Sequence, residues 1–170
     1  MKRIILALVI IGSVLPASGD PAAPGQDTAR SRLLDALPAD GLDGKSVFVF
    51  HDQAALNAHY YLADETVLGL DKTTEAVFAR YRTGPGEALL LVVSYGSDEK
   101  ARLVYEKFGA DFFPMGFDRK SVRTLERLET GDYAAAVRAG TFLIVVLEAP
   151  DRKSCDELAR RVEQRALASR

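Results

Sequence analysis

The sequence predicts an α+β domain, a two-layer sandwich in which one antiparallel sheet carries its helices on a single face. Three observations point there. Apolar runs with strand character come in pairs joined by tight-turn residues: Ala76 to Arg82 with Ala88 to Tyr95, and Tyr133 to Arg138 with Thr141 to Leu147. Each pair precedes a segment whose apolar residues recur at helical spacing. Aligned on Val92-Val93 and Val145-Val146, the two β-β-α units match in hydrophobic order. Ala101, Val104, Tyr105 and Phe108 then correspond to Cys155, Leu158, Ala159 and Val162 after a one-residue offset. A repeated unit of this kind argues for one sheet with its helices packed alike.

The first nineteen residues carry the marks of an export leader. Lys2 and Arg3 are followed by the uncharged run Ile4 to Leu15, then Pro16 and the small residues Ala17-Ser18-Gly19. The run falls short of the roughly 18 apolar residues that span a bilayer, so cleavage is expected rather than anchoring. Residues 1–19 thus read as a signal peptide, 20–26 as a disordered Pro/Ala/Gly spacer, and 27–170 as a single domain in the periplasm or outside the cell.

Within that domain, Asp27 is placed to cap a short helix reaching Leu37, with Leu33, Leu34 and Leu37 as its apolar edge. Ser46 to Phe50 is a strand apolar on both sides, which predicts an interior position. Asp52 to Leu70 mixes helix-favouring alanines with the strand-like His59-Tyr60-Tyr61 and Thr66-Val67-Leu68. It reads as a short helix capped by Asp52 and then a brief strand. Gly84-Pro85-Gly86 makes a hairpin. Ser97 caps a helix with Asp98 and Glu99 in its first turn and a stripe of Ala101, Val104, Tyr105, Phe108 and Phe112, stopped by Pro114. Val122 to Glu129 fits helix and strand equally poorly. Asp151 caps the last helix, whose inner stripe is Cys155, Leu158, Ala159 and Val162. On its outer face Asp156/Arg160 and Glu157/Arg161 have the spacing of i,i+4 ion pairs.

Composition excludes several function classes. Without Lys2 and Arg3, 20 basic residues face 24 acidic ones, a net charge of −4 with no basic block. Such a chain lacks the electrostatic footprint of a nucleic-acid binder or a membrane-surface protein. The single cysteine, Cys155, allows no internal disulfide, and no cysteine follows the leader to take a lipid.

The string Leu56-Asn57-Ala58-His59-Tyr60-Tyr61-Leu62-Ala63-Asp64-Glu65, the following Ala76-Val77-Phe78-Ala79-Arg80-Tyr81, and Leu90-Leu91-Val92-Val93-Ser94-Tyr95 with its helix carry a resemblance. Over roughly Val47 to Leu167 the chain resembles the second half of a bacterial exported family known only as a domain of unknown function. Members of that family often consist of two related halves, so the resemblance implies a single-half version. It implies no activity, cofactor or catalytic residue.

Candidate chemistry is sparse. His51 and His59 with Asp64 or Glu65 supply ligand types that hold zinc. Their eight-residue separation fits neither one turn-pair on a helix nor alternate positions of a strand, and hydrogen-bonded loop histidines are the plainer reading. Cys155 sits near Arg152 and Lys153 in a helix's first turn, but on the apolar stripe, where cysteine behaves as a small hydrophobe. No serine lies in a nucleophile elbow, and Gly84-Pro85-Gly86 lacks the Lys-Ser/Thr tail of a phosphate loop. Tyr60, Tyr61, Tyr81 and Tyr95 are the types that line ligand grooves, and also the types that pack in sheets with the hydroxyl at the rim. The expectation is therefore a non-enzymatic binding or assembly module without a cofactor, its partner a protein or small ligand, met at His59, Tyr60, Tyr61, Asp64 and Glu65. The alternative is a metal-dependent enzyme using His51 and His59.

Overall fold

The computed structural model describes residues 26–62, 67–84, 86–113 and 115–169. The expected leader, the spacer up to residue 25, Asp64, Glu65, Pro85 and Pro114 lie outside the described residues. In chain order the elements are α1 (Gln26–Asp35), β1 (Leu42–Phe50), α2 (Gln53–Asn57), β2 (Glu75–Thr83), β3 (Gly86–Ser94), α3 (Asp98–Phe112), β4 (Arg123–Arg127), β5 (Tyr133–Ala139), β6 (Phe142–Ala149) and α4 (Arg152–Ala168). Gln26, read above as the end of the spacer, already opens α1. The six strands form an antiparallel sheet in the order β1-β2-β3-β6-β5-β4. The α+β class and the antiparallel sheet with helices packed on it stand as expected.

The helices do not share one face. Along β3, Leu90 and Val92 enter a core with α1 and α4, while Leu89, Leu91 and Val93 enter a second core with α3. The sheet is therefore the middle of three layers, and the single covered face is corrected to two. The cause lies in the strands themselves. Both sides of β2, β3 and β6 are apolar, and both need cover from water. Strand–strand–helix order occurs twice, as β2-β3-α3 and β5-β6-α4, yet the copies are not equivalent modules. The alignment matched Val92 with Val145, and Val92 faces α1 and α4 while Val145 faces α3. Matching hydrophobic order concealed a reversal of face.

Both long-helix caps are as the sequence implies. Ser97 Oγ accepts from the Lys100 N–H at 3.2 Å, and Asp151 Oδ1 accepts from the Ser154 N–H at 2.8 Å. Cys155, Leu158, Ala159 and Val162 are all fully buried against β5 and β6. Asp156 pairs with Arg160 at 2.8 Å, but Arg161 leaves Glu157 and crosses to Asp40 at 2.8 Å. Leu33 of α1 and, in the turn just after it, Ala36 and Leu37 are buried while Leu34 is exposed, so alanine takes the place expected of leucine.

One open reading resolves and two further expectations change. The segment 122–129 contributes the short edge strand β4. Val67 and Leu68 are buried without strand pairing, Leu68 giving its carbonyl to the Tyr95 hydroxyl at 2.7 Å. β1 is an edge strand and not an interior one. It is apolar on both sides because both layers extend to the sheet's margin, where Val47 and Val49 meet one core and Phe48 and Phe50 the other. Its outer line is broken by a bulge, since Asp43 pairs with Arg80 but Phe48 with Phe78. Ser46 Oγ accepts the Arg80 N–H at 2.7 Å there, supplying a ladder bond that backbone no longer makes. A bulged edge of this kind resists pairing with another strand. Where the chain turns into β1, Gly41 has φ +78° and sits so close to β2 that a Cβ would lie 2.5 Å from the Arg82 carbonyl oxygen.

Candidate functional site

The stretch after β1 is built as expected at its start. Asp52 Oδ1 caps α2 through the Ala55 N–H at 2.8 Å, and fully buried Leu56 anchors the helix in the α3-side core. That anchor fixes the three residues that follow. His59 lies exposed, its ring centroid 3.9 Å from Phe48 with planes tilted by 48°. The Tyr60 ring stacks on Phe78 at 5.6 Å, and its hydroxyl donates to Glu148 Oε1 at 2.9 Å. Tyr61 points to solvent, 55% exposed.

Glu148 reaches this surface through a backbone irregularity. Tyr133 pairs with Ala149 but Ala135 with Val146, so Leu147 and Glu148 together stand against Ala134. Such a bulge re-aims a side chain. Glu148 accommodates it at φ 54°, the only non-glycine with positive φ among the described residues. Leu147 enters the α3-side core and Ala149 the opposite one, and the extra residue turns the carboxylate toward Tyr60. Burial pushes the Tyr60 hydroxyl well above its ordinary range, and the negative charges of Glu148 and Asp132 push the same way. Tyr60 therefore stays a hydrogen-bond donor and does not act as a base.

The structure separates the other predicted residues. His51 Nδ1 stands 3.1 Å from the Thr74 carbonyl oxygen and 3.5 Å from Glu75 Oε1, where it ties the end of β1 to the start of β2. His59 packs on Phe48 instead, so the two histidines have different partners. Asp64 and Glu65 lie outside the described residues. Among those described, no group of three or more His, Cys, Asp or Glu side chains is placed to share a metal ion. Tyr81 and Tyr95 are buried and donate to the carbonyls of Pro38 at 2.9 Å and Leu68 at 2.7 Å, which makes them packing residues. Cys155 is fully buried, and burial pushes its thiol up to about 12, Asp156 adding to the effect. Such a thiol is inert at neutral pH.

Sequence reasoning missed Glu148. The signal available was a lone carboxylate inside the apolar run Val145-Val146-Leu147-Glu148-Ala149. Its partner, 88 residues earlier, has no trace in sequence spacing. Between α4 and the β2–β3 hairpin an open groove of about 430 Å³ is lined by Asp40, Arg82, Glu157, Arg160 and Arg161. Arg161 is held by Asp40 and Arg160 by Asp156, so the groove is a seam of ion pairs.

No protein-family model, curated protein or solved structure matches the chain. Among the described residues no helix is long and apolar enough to cross a membrane.

Proposed function

We propose that the chain is an exported, non-enzymatic module that works by binding a protein or small ligand in the periplasm or outside the cell. Its recognition surface comprises His59, Tyr60, Tyr61 and Glu148, with Phe48 and Phe78 as the aromatic floor. The observation that carries this reading is Glu148, a non-glycine kept in the left-handed region so that its carboxylate meets Tyr60 at a half-open surface. Strain of this kind persists where surrounding structure enforces it, and it concentrates at binding sites. The rings of His59 and Tyr61 beside it supply rigid contact area at low entropy cost. The leader supports export, and the proposal includes the likeness to the two-half exported family, of which this chain is a single-half version.

A photo-crosslinking residue at Tyr61, compared with one at the distant exposed Leu167, tests the surface in cells that export the protein. The proposal expects a discrete adduct from position 61 that Glu148→Gln removes, with none from position 167. Identical adducts from both positions, or an adduct indifferent to Glu148→Gln, defeat it. N-terminal sequencing of the exported protein tests the leader, with Asp20 expected as the first residue.

A further inference from the structure

The surface around Glu148 is unbalanced in charge. Phe48 and Phe78 are register partners on neighbouring strands, with the His59 ring against the first and the Tyr60 ring against the second. Tyr60 in turn reaches Glu148 Oε1 at 2.9 Å, so a line of contacts crosses the α3 side of the sheet from β1 to β6. The line covers three strand spacings, roughly 14 Å. His59 stands exposed at one end of it, and exposed Tyr61 follows Tyr60.

The carboxylate on this line is not neutralised. Elsewhere Asp71 holds Lys100, Asp156 and Glu163 hold Arg123, and Asp40 holds Arg161. Glu148 meets no lysine or arginine among the described residues, and the Tyr60 hydroxyl bound to Oε1 carries no charge. Oε2 makes no bond among them either, and it is not a buried atom, so it is open to water. Arg80 lies two residues beyond Phe78 on the same face and makes no ion pair with Glu148. Asp132 adds a second negative charge near the Tyr60 hydroxyl. The bulge and the left-handed backbone keep the carboxylate at this face.

We propose that this surface binds a basic segment of a protein partner, a lysine or arginine side chain lying over the exposed rings with its charge at Glu148 Oε2. The inference rests on the reading above that these residues form the recognition surface. Aromatic rings beside an unneutralised carboxylate favour a cation carried on an apolar stem. The stem packs on the rings, while ring faces and carboxylate attract the charge. The span points to a polypeptide as the source. A small amine fills only part of it, whereas about four extended residues cover it from end to end.

The test follows the fluorescence anisotropy of a dye-labelled hexapeptide of alternating lysine and alanine, titrated with the purified exported protein. A second hexapeptide has every lysine acetylated, and butylammonium serves as competitor. Four proteins are compared: wild type, Glu148→Gln, Tyr61→Ala and, as a charge-matched control on the exposed side of α4, Glu157→Gln. Glutamine at 148 still accepts from Tyr60, so that variant removes the charge and keeps the bond. The lysine peptide should bind wild type and Glu157→Gln alike and saturably. Its affinity should fall about fivefold or more in Glu148→Gln and about threefold in Tyr61→Ala. The acetylated peptide should not bind. No saturable binding to wild type, equal binding of the acetylated peptide, or equal weakening by Glu148→Gln and Glu157→Gln overturns the proposal. So does butylammonium that displaces the peptide at the peptide's own Kd, which would make a small amine the ligand. The crosslink at position 61 tells this failure from that of the surface itself. A Glu148-dependent adduct without lysine-peptide binding overturns the basic partner alone, and absence of both overturns the surface as well.

Discussion

At Glu148 two energies of opposite sign meet in one residue. Its left-handed backbone costs about 1 kcal/mol relative to glycine, while the charge-assisted bond from Tyr60 returns about 1–2 kcal/mol. Tyr60→Phe should therefore destabilise by about 1–2 kcal/mol, and Glu148→Gly should come out near neutral, since relief of strain offsets the lost bond. In the Tyr60→Phe background the same Glu148→Gly change should become stabilising by about 1 kcal/mol. Urea midpoints of the four proteins complete the cycle, and a Glu148→Gly change with the same effect in both backgrounds shows that the pair is uncoupled. Cys155 gives a second residue-level expectation. Its thiol is raised from 9.0 to about 12, so the unfolded chain releases that proton first as pH climbs. Its contribution is complete below pH 9 and falls away as pH rises toward 12. Cys155→Ala should flatten this alkaline loss relative to wild type, whatever the cavity does to stability at pH 7.

Among the elements, the stretch 67–74 ahead of β2 is held to the fold by individual side-chain bonds and not by a strand ladder. Asp71 holds it to α3 through Lys100 at 2.6 Å, and Thr73 donates to the same carboxyl from both backbone and hydroxyl. The Lys100 bond, then those from Thr73, hold the Asp71 carboxyl down to about 2. A lowered carboxylate pKa stabilises above the unfolded value and loses that contribution as pH falls from about 4 toward 2. Asp71→Asn should lose that part of the acid response. The effect on global stability is small because the pair is exposed, so faster amide exchange across 67–74 is the sensitive measurement. Elements of this kind also show what sequence can reveal. Caps at Asp52, Ser97 and Asp151 were legible because a side-chain oxygen and an N–H three residues on are a local arrangement. The four inner strands were legible from their apolar runs. The edge position of β1, the bulge at Glu148 and the Tyr60–Glu148 bond were not, since each depends on which strand lies beside which. The five residues of β4 are too few to show a period.

For the whole molecule, the decisive feature is that a fully antiparallel sheet is covered on both sides, an arrangement more usual for parallel sheets. Neighbouring residues of a central strand therefore belong to separate interiors. Ile144 faces α1 and α4 while Val145 faces α3, and both are fully buried. Ile144→Val should cost about 0.5–1.5 kcal/mol, and Val145→Ala, which removes two methyl groups, about 2 kcal/mol. Although adjacent in the chain, the two side chains share no packing partners across the sheet, so the double variant should lose the sum to within about 0.5 kcal/mol. Had both long helices packed on one face, one of these residues would face water, and its truncation would stay within about 0.5 kcal/mol of wild type. Denaturant titration of the two single variants thus separates a three-layer body from a two-layer one. Two substantial losses require cover on both sides, and one loss with one near-zero change requires an open face.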